Sequence, residues 1–593
     1  MKKHLRLMLI LITVFALVAC GTPSLDYPIP EEDGDLLPSA CRELYEIRRG
    51  LEADFFEVEI SDGNGYQKLT ASRVLSWVIV IRYPTDDKAA FAITYWQSVV
   101  PALRPQTDPN DIVFVREGRN LAFSHTRIWR QDTFPNLRIG SAMEDVHRNT
   151  RHWTYVTLDG VTDPDFAEYF EFTHARMQIR GRGQSSWRMA VGDDPWAGKR
   201  PFRLRFADQR DTTRPQNDFI RPILNSGFAA REWTFIANQS DKSLLRNYSA
   251  YYLARLLDGM PFAPNAQLVN VYMAATRRTT HSGESVTVNN PGPYQGEYVF
   301  QGVYQMSDQL NQPQAGRVNI TVNEDPTVSE FLFEMCFHEL FRWRNPNHYT
   351  SRPGWPRPHV IINYLMGGGM ERPFMIEAGG GEDVDGEPNV VTVQYAQRFL
   401  QNVDGAIRSQ NFARLSQWID IPSFIDFYLV QELYKNVDIN TSSVRFTIRG
   451  QGENRRLYAG PVWDFDIAAG NAVYMNYHHY NFHGNGYRPT GTWVTTRSPW
   501  FGNFMATPEV RGLVRARWSE IQHREVRQML DHIDEKSDIF ENCFNRNFER
   551  WQIMGIYVWP NPPGIVDIIT QRGQADHLIE YLEERGEWLS AWL

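Results

Sequence analysis

The chain of 593 residues has only 4 cysteines, too few for the disulfide framework on which many exported folds rely. Beyond the N-terminus no run approaches the roughly 20 apolar residues that a membrane-spanning helix needs. Cationic excess is missing too. With 61 Lys and Arg against 70 Asp and Glu the net charge is −9, which argues against a nucleic-acid binder with its basic stripe. There is no Gly-x-Ser-x-Gly elbow, no Rossmann or Walker A loop between a strand and a helix, and neither the His-Arg-Asp nor the Asp-Phe-Gly tripeptide of ordinary protein kinases. FHELF around His338 lacks the second His of a metalloprotease helix, and Glu382, Asp383, Asp385 and Gly386 lack the full spacing of an EF-hand. His478, His479 and His483 fit no standard zinc spacing and read as a loop. The chain has no internal repeat, which argues against a solenoid or propeller.

What is present begins with an export signal. MKKHLRLMLILITVFALVAC joins a basic start to a short apolar run and ends on Leu17-Val18-Ala19-Cys20, which looks like a bacterial lipobox. Residues 1–19 are therefore expected to be a lipoprotein signal, Cys20 the lipidated first residue of the mature chain, and the protein a lipid-anchored component of the cell envelope, at the outer membrane if Gly21 after the cysteine decides it. Residues 20–40 are Pro-rich and acidic and read as a tether. Residues 41–148 are expected to form an accessory α+β domain: CRELYEIRRGLEADFFEV and FAITYWQSVVPAL as helices, VLSWVIVIRY as a strand. Cys41, Cys336 and Cys543 are expected to be mainly buried thiols.

The most informative stretch runs from Lys435 to Asn471. Asp438 follows a helical run, SFIDFYLVQELYKNV, and precedes the alternating Val444, Phe446 and Ile448 of a strand. A turn on Gly450 and Gly452 leads to a second strand, whose end is expected to carry Asp464 and Asp466 on one face with Phe465 on the other. An acidic pair one hairpin away from a third acid suits a divalent cation held beside a catalytic carboxylate. The same acids are equally compatible with helix capping and turn bonding.

KNVD, then GPVWDFD followed by GN, resembles the CotH kinase family, the spore-coat protein H type of atypical protein kinase. IRGRGQSSW and GKRPFRLRF, between Ile179 and Phe206, are similar to its Arg-Gly-Asn-Ser-Ser and Lys-Lys-Pro-Tyr-Arg pattern. Glu232 to Arg255 resembles its Asp-x-Thr-x-x-Arg-Asn helix, Tyr294 to Leu310 its Gly-x-Tyr-x-Gly-x-Tyr strands, and Ser498 to Trp518 its Trp-Phe segment. The resemblance covers residues 149–593, with a closing helix over 577–593. It implies an α+β fold, a bilobal atypical protein-kinase-like domain, that transfers the γ-phosphoryl group of ATP to Ser or Thr hydroxyls with Mg²⁺ or Mn²⁺.

By that resemblance Asp438 positions the acceptor hydroxyl and Asp464 binds the metal, with Asp466 in support. Asn440 is the nearest candidate for a further ligand, although the usual spacing falls on Ser443. Lys199, helped by Arg200 and Arg203, is the expected cation on the phosphates. Ser185 and Ser186 approach phosphate beside the glycines, and Asp308 pairs with the cation. Arg246 and Asn247 are read as bracing. Two further readings stay open: an envelope binding or assembly protein that keeps the fold without catalysis, and a glycan hydrolase using the same carboxylates. The expected partners are a protein substrate or envelope component, and the membrane through Cys20.

Overall fold

The structure, a computed structural model, describes six strands between Phe55 and Ser124 by their backbone, and most of the chain from Phe134 to Leu593. The longer stretches outside the described residues are 1–54, 83–91, 98–111, 125–133, 160–171, 189–197, 207–220, 311–319, 336–358, 361–373, 380–389 and 474–492. Cys20, Cys41, Cys336, the tether, the three-histidine segment and the segment 382–387 all fall there. Contacts divide the chain into two compact units, Met1–Asp132 with Thr162–Ala167, and Thr133–Val161 with Glu168–Leu593.

In the first unit, β1 (Phe55–Ser61) and β2 (Tyr66–Ser72) form a hairpin. β3 (Ser76–Arg82), β4 (Ala92–Gln97), β5 (Ile112–Glu117) and β6 (Asn120–Ser124) form an antiparallel sheet in the order β4-β3-β5-β6. Two sequence expectations are corrected here. Phe55 and Phe56, read as the end of a helix, open a strand, and the segment read as a second helix supplies β4, paired along its length with β3. The run Ile93-Thr94-Tyr95-Trp96 is β-branched and aromatic throughout, and β-pairing outweighs its helix-compatible spacing.

The second unit begins earlier than the expected boundary at Asn149, because Asn136–Ile139 (β7) pairs in parallel with a strand far along the chain. With β8 (His152–Asp159), β9 (Phe172–Gly181), β10 (Phe202–Phe206), β13 (Glu232–Ile236), β14 (Ala266–Ala274) and β17 (Tyr298–Asp308) it closes a barrel in the order β10-β13-β17-β14-β7-β8-β9. Between these lie the two-residue strands β11 (Arg221–Pro222) and β12 (Ala229–Ala230) and the hairpin β15 (Thr279–Ser282) and β16 (Ser285–Val288). FRLRF behaves as its alternation predicts: Phe202, Leu204 and Phe206 are buried, while Arg203 and Arg205 share the opposite, half-buried face. Closure leaves the barrel without a free edge.

A second sheet follows, β18 (Phe331–Met335), β19 (His359–Val360), β20 (Phe374–Ala378), β21 (Val444–Arg449) and β22 (Arg456–Ala459), ordered β19-β20-β18-β21-β22. The expected hairpin is β21–β22, with Phe446 opposite Ala459 and Ile448 opposite Leu457. Gly450 turns it at φ +81°, where a Cβ would lie 2.5 Å from the Asn454 carbonyl oxygen.

The helices are α1 (Arg246–Leu256), α2 (Val390–Arg408), α3 (Phe412–Trp418), α4 (Ile421–Leu433), α5 (Pro499–Ala506), α6 (Pro508–Ile521), α7 (Glu525–Ile539), α8 (Glu541–Arg550), α9 (Pro563–Val566) and α10 (Gln571–Trp592). α4 starts where the Asp420 side chain accepts from the Ser423 N–H at 2.9 Å. From Ser423 to Leu433 every residue is buried, so this helix is the axis on which α1, α6, α10 and β22 pack. α10 is the expected closing helix, begun six residues sooner by the Thr570 cap on the Gly573 N–H. No helix of the described residues is long and apolar enough to cross a membrane.

Candidate active site

β22 ends at Ala459, so Asp464 and Asp466 lie beyond it in an irregular loop. The expectation that they extend a strand is corrected. Asp464 has φ +68°, a left-handed conformation that strand pairing forbids. The outcome is nevertheless the one expected, because Phe465 is fully buried while Asp464 and Asp466 are each half-buried.

Side chains from distant segments hold the loop. The Asn247 carboxamide oxygen accepts the Phe465 N–H at 2.6 Å, and its amide donates to Asn238 at 3.0 Å. The Tyr251 hydroxyl lies 3.4 Å from the Asp464 N–H. Arg246 and Asp241, both fully buried, form an ion pair of 2.6 Å, and Arg246 Nε donates to the Ala468 carbonyl. Asp241 also accepts the Ser243 hydroxyl and the Arg246 N–H, so it satisfies a backbone donor at the start of α1 as well as pairing with the Arg246 side chain. Farther on, Asn471 donates to the carbonyls of Asp466 and Ser240, and Asn561 donates to Ser240 and to Asn471. Arg246 and Asn247, expected to brace their own helix, also hold the acid loop, through the Ala468 carbonyl and the Phe465 N–H.

Asp438 lies in the 3-10 turn Val437–Asn440 directly after α4, half-buried, its N–H bonded to the Asn436 side chain at 3.1 Å. The Ser443 hydroxyl donates to the Asp464 carboxylate at 2.7 Å. A hydroxyl thus stands where the usual spacing expects a ligand. The Asn440 side chain, the whole of Ser185 and the Asp308 side chain lie outside the described residues. Asp308 itself ends β17, opposite Trp233.

These acids act on one another. The Asp466 carboxyl is pushed well above the usual aspartate range, first by burial and then by the negative charges of Asp464, Asp241 and Asp438. Carboxylates that repel in this way favour a proton or a cation between them. Among the described residues no three His, Cys, Asp or Glu side chains are grouped to hold a metal by themselves. The donor set therefore suits a small, oxygen-loving ion that takes one or two carboxylates and completes its sphere with water and ligand oxygens.

The expected cation is corrected. Lys199 is 1 % exposed, and its ammonium bonds the Val303 carbonyl and Asn547 Oδ1 of α8, 4.5 Å above the Tyr304 ring. Burial alone lowers its pKa well below the usual lysine value, with no carboxylate to offset it. Gly302 is shaped around this pocket: at φ +104°, a Cβ there would lie 2.6 Å from Asn547 Oδ1 and 3.1 Å from Lys199 Cε. Lys199 thus ties β17 to α8. Arg203 is also engaged elsewhere, sharing the buried Glu232 with Arg151 at 3.2 and 2.9 Å. Arg200 lies over the Trp187 ring, centroid distance 5.5 Å, and Ser186 sits in the short 3-10 turn Ser186–Arg188 beneath Gly183.

Two arginines that sequence reasoning did not single out flank the acid loop. Arg182 and Arg445 lie 5.6 and 5.3 Å from the ring centroid of Trp463, the residue before Asp464. Arg445 pairs with Glu334 at 3.0 Å. Arg182 stands in IRGRGQSSW, where the glycines and serines drew attention and the arginine passed as part of a turn. Tyr251, Asn471 and Asn561 were likewise missed, since each makes a contact more than two hundred residues away; Asp241 was missed although its partner Arg246 is only five residues on.

A family model described as CotH kinase protein matches residues 179–589. No curated protein gives a significant match to the chain.

Proposed function

Since the chain belongs to the CotH kinase protein family, we propose that it transfers the γ-phosphoryl group of ATP to a Ser or Thr hydroxyl of a cell-envelope protein. What supports this is the convergence of Asp438, from the turn after α4, with Asp464 and Asp466 from the loop after β22, close enough for each charge to be felt by the last. Asp464 and Asp466 would hold Mg²⁺ or Mn²⁺, which would supply neutralisation of the phosphate charge.

Asp438 orients the acceptor hydroxyl and takes its proton as the oxygen–phosphorus bond forms and the bond to the ADP oxygen breaks. The Asn247 and Tyr251 contacts fix the backbone of Asp464 and Phe465, so the acids reach the reaction already placed. Ser443 orients the Asp464 carboxylate. In this reading the unit is bilobal, the barrel forming one lobe and the second sheet with its helices the other. A lipid on Cys20 anchors the protein in the envelope, facing its substrate.

The test is label transfer from ATP by the purified soluble chain with Mg²⁺ or Mn²⁺, compared with Asp438→Asn and Asp464→Asn. Metal-dependent transfer lost in both variants supports the kinase. Absence of nucleotide binding by calorimetry with either metal would leave the fold as a binding scaffold.

A further inference from the structure

We propose that Arg182, and not Lys199, is the cation that receives the phosphates of the bound nucleotide, with Trp463 as the platform that holds its guanidinium beside the acid loop. This rests on the phosphotransfer reading and gives a role to the arginine that matches the start of the Arg-Gly-Asn-Ser-Ser pattern, for which the resemblance named none.

Four observations carry it. First, Arg182 is fixed in place: it follows β9 directly, and its N–H donates to the Pro201 carbonyl at 3.2 Å, pinning it to the entry of β10. Second, its guanidinium lies over Trp463, an indole 6 % exposed that itself stacks on Tyr251 with 5.5 Å between centroids. A cation held on an aromatic face keeps its N–H edges available to an anion. Third, Asp464 and Asp466 are the carboxylates whose charge reaches Arg182, yet neither forms an ion pair with it. Opposite charges that act on one another without pairing suit a unit with the reverse order of charge, metal against the carboxylates and phosphate against the guanidinium. Fourth, three other basic side chains are engaged elsewhere: Lys199 with neutral oxygens, Arg203 with Glu232, Arg445 with Glu334.

Arginine is suited to this task, since its planar fork meets two phosphate oxygens at once and stays charged when partly buried. The prediction therefore separates phosphate from nucleoside. Calorimetry with the purified soluble chain and Mg²⁺ would compare a non-hydrolysable ATP analogue with adenosine. Arg182→Met should weaken the triphosphate by about 10- to 100-fold and leave adenosine unchanged, and Arg182→Lys should recover part of the loss. Lys199→Met should bind both as the parent does.

Equal binding of the triphosphate by Arg182→Met and the parent overturns the assignment. So does an equal loss of adenosine and triphosphate, which marks a structural role, and so does a selective triphosphate loss in Lys199→Met. If Arg182→Met does not fold, the charge-retaining Arg182→Lys decides by the same ratio of triphosphate to adenosine affinity. Failure of the parent chain to bind either ligand with Mg²⁺ or Mn²⁺ instead refutes the phosphotransfer reading beneath it.

Discussion

Lys199 and Arg182 both stand in the connection between β9 and β10, yet the fold uses them in opposite ways. Lys199 is withdrawn into the seam between β17 and α8, where neutral oxygens satisfy it and burial disfavours its charge. Arg182 stays half-buried beside an acidic loop, on an aromatic ring. A buried cation without a counter-ion is costly, so one that persists is there to hold groups together. A cation held on an aromatic ring, near carboxylates that it does not pair with, is placed for an anionic ligand. Residue type alone does not tell these apart; what each side chain reaches does.

The comparison can be tested from both sides, and the largest effect is expected in the acid loop. Asp464→Asn should reduce phosphoryl transfer by about 10³-fold or more, roughly 4 kcal/mol of transition-state stabilisation, with thermal unfolding little changed. An active Asp464→Asn enzyme would remove the loop from the mechanism. Next comes the brace: Arg246→Met strands the buried Asp241 carboxylate, and the fold should lose about 3–5 kcal/mol by chemical denaturation. A loss under 1 kcal/mol would show that Asp241 finds another partner.

Asn247→Ala should cost about 1–3 kcal/mol, because the Phe465 N–H loses its acceptor in a buried place, and should also weaken Mn²⁺ binding. Unchanged Mn²⁺ affinity would mean that the loop keeps its shape without Asn247. On the other side of the comparison, Lys199→Met preserves the apolar stem and removes the ammonium. We expect about 1–2 kcal/mol of lost stability and kcat/KM within about threefold, and a selective fall in kcat/KM would collapse the distinction between the two cations.

The smallest effect concerns pH. Because the Asp466 carboxyl is held above its usual range, the folded, metal-free chain binds that proton more tightly than the unfolded chain does. The resulting stability is present at low pH and is lost as pH rises from the ordinary aspartate value of 3.8 through the raised one. In chelator, Asp466→Asn should therefore lose less stability over that rise, an advantage of roughly 1–2 °C in Tm, and Mg²⁺ should narrow the difference. Parallel curves for the two proteins would show that Asp466 carries its charge at no cost.

Much of this fold was legible where a local pattern suffices. FRLRF alternates and does form a two-faced strand, and the glycines at 450 and 452 do turn a hairpin. SFIDFYLVQEL is apolar on all sides and becomes the buried axis. Local pattern misled at Ala92–Gln97, where pairing with β3 decides the matter, and at Asp464, where a left-handed residue replaces the expected strand. It gave no access to the closure of the barrel, because β7 joins β14 across more than a hundred residues. In the site, the acids could be recognised by type and spacing. The cation could not, since Lys199 and Arg182 are both plausible in sequence and only the pocket around Gly302 shows which one is buried.

The chain of amides through Ser240, Asn471 and Asn561 has a consequence in time as well as in space. The acid loop is fastened at one side to residues before α1 and at the other to the segment just ahead of α9. A chain emerging from its N-terminus therefore carries Asp438, Asp464 and Asp466 for some hundred residues before it has Asn561 to fasten them. During synthesis the acids exist without their arrangement, and the site is finished only when the segment around Asn561 has arrived and folded back.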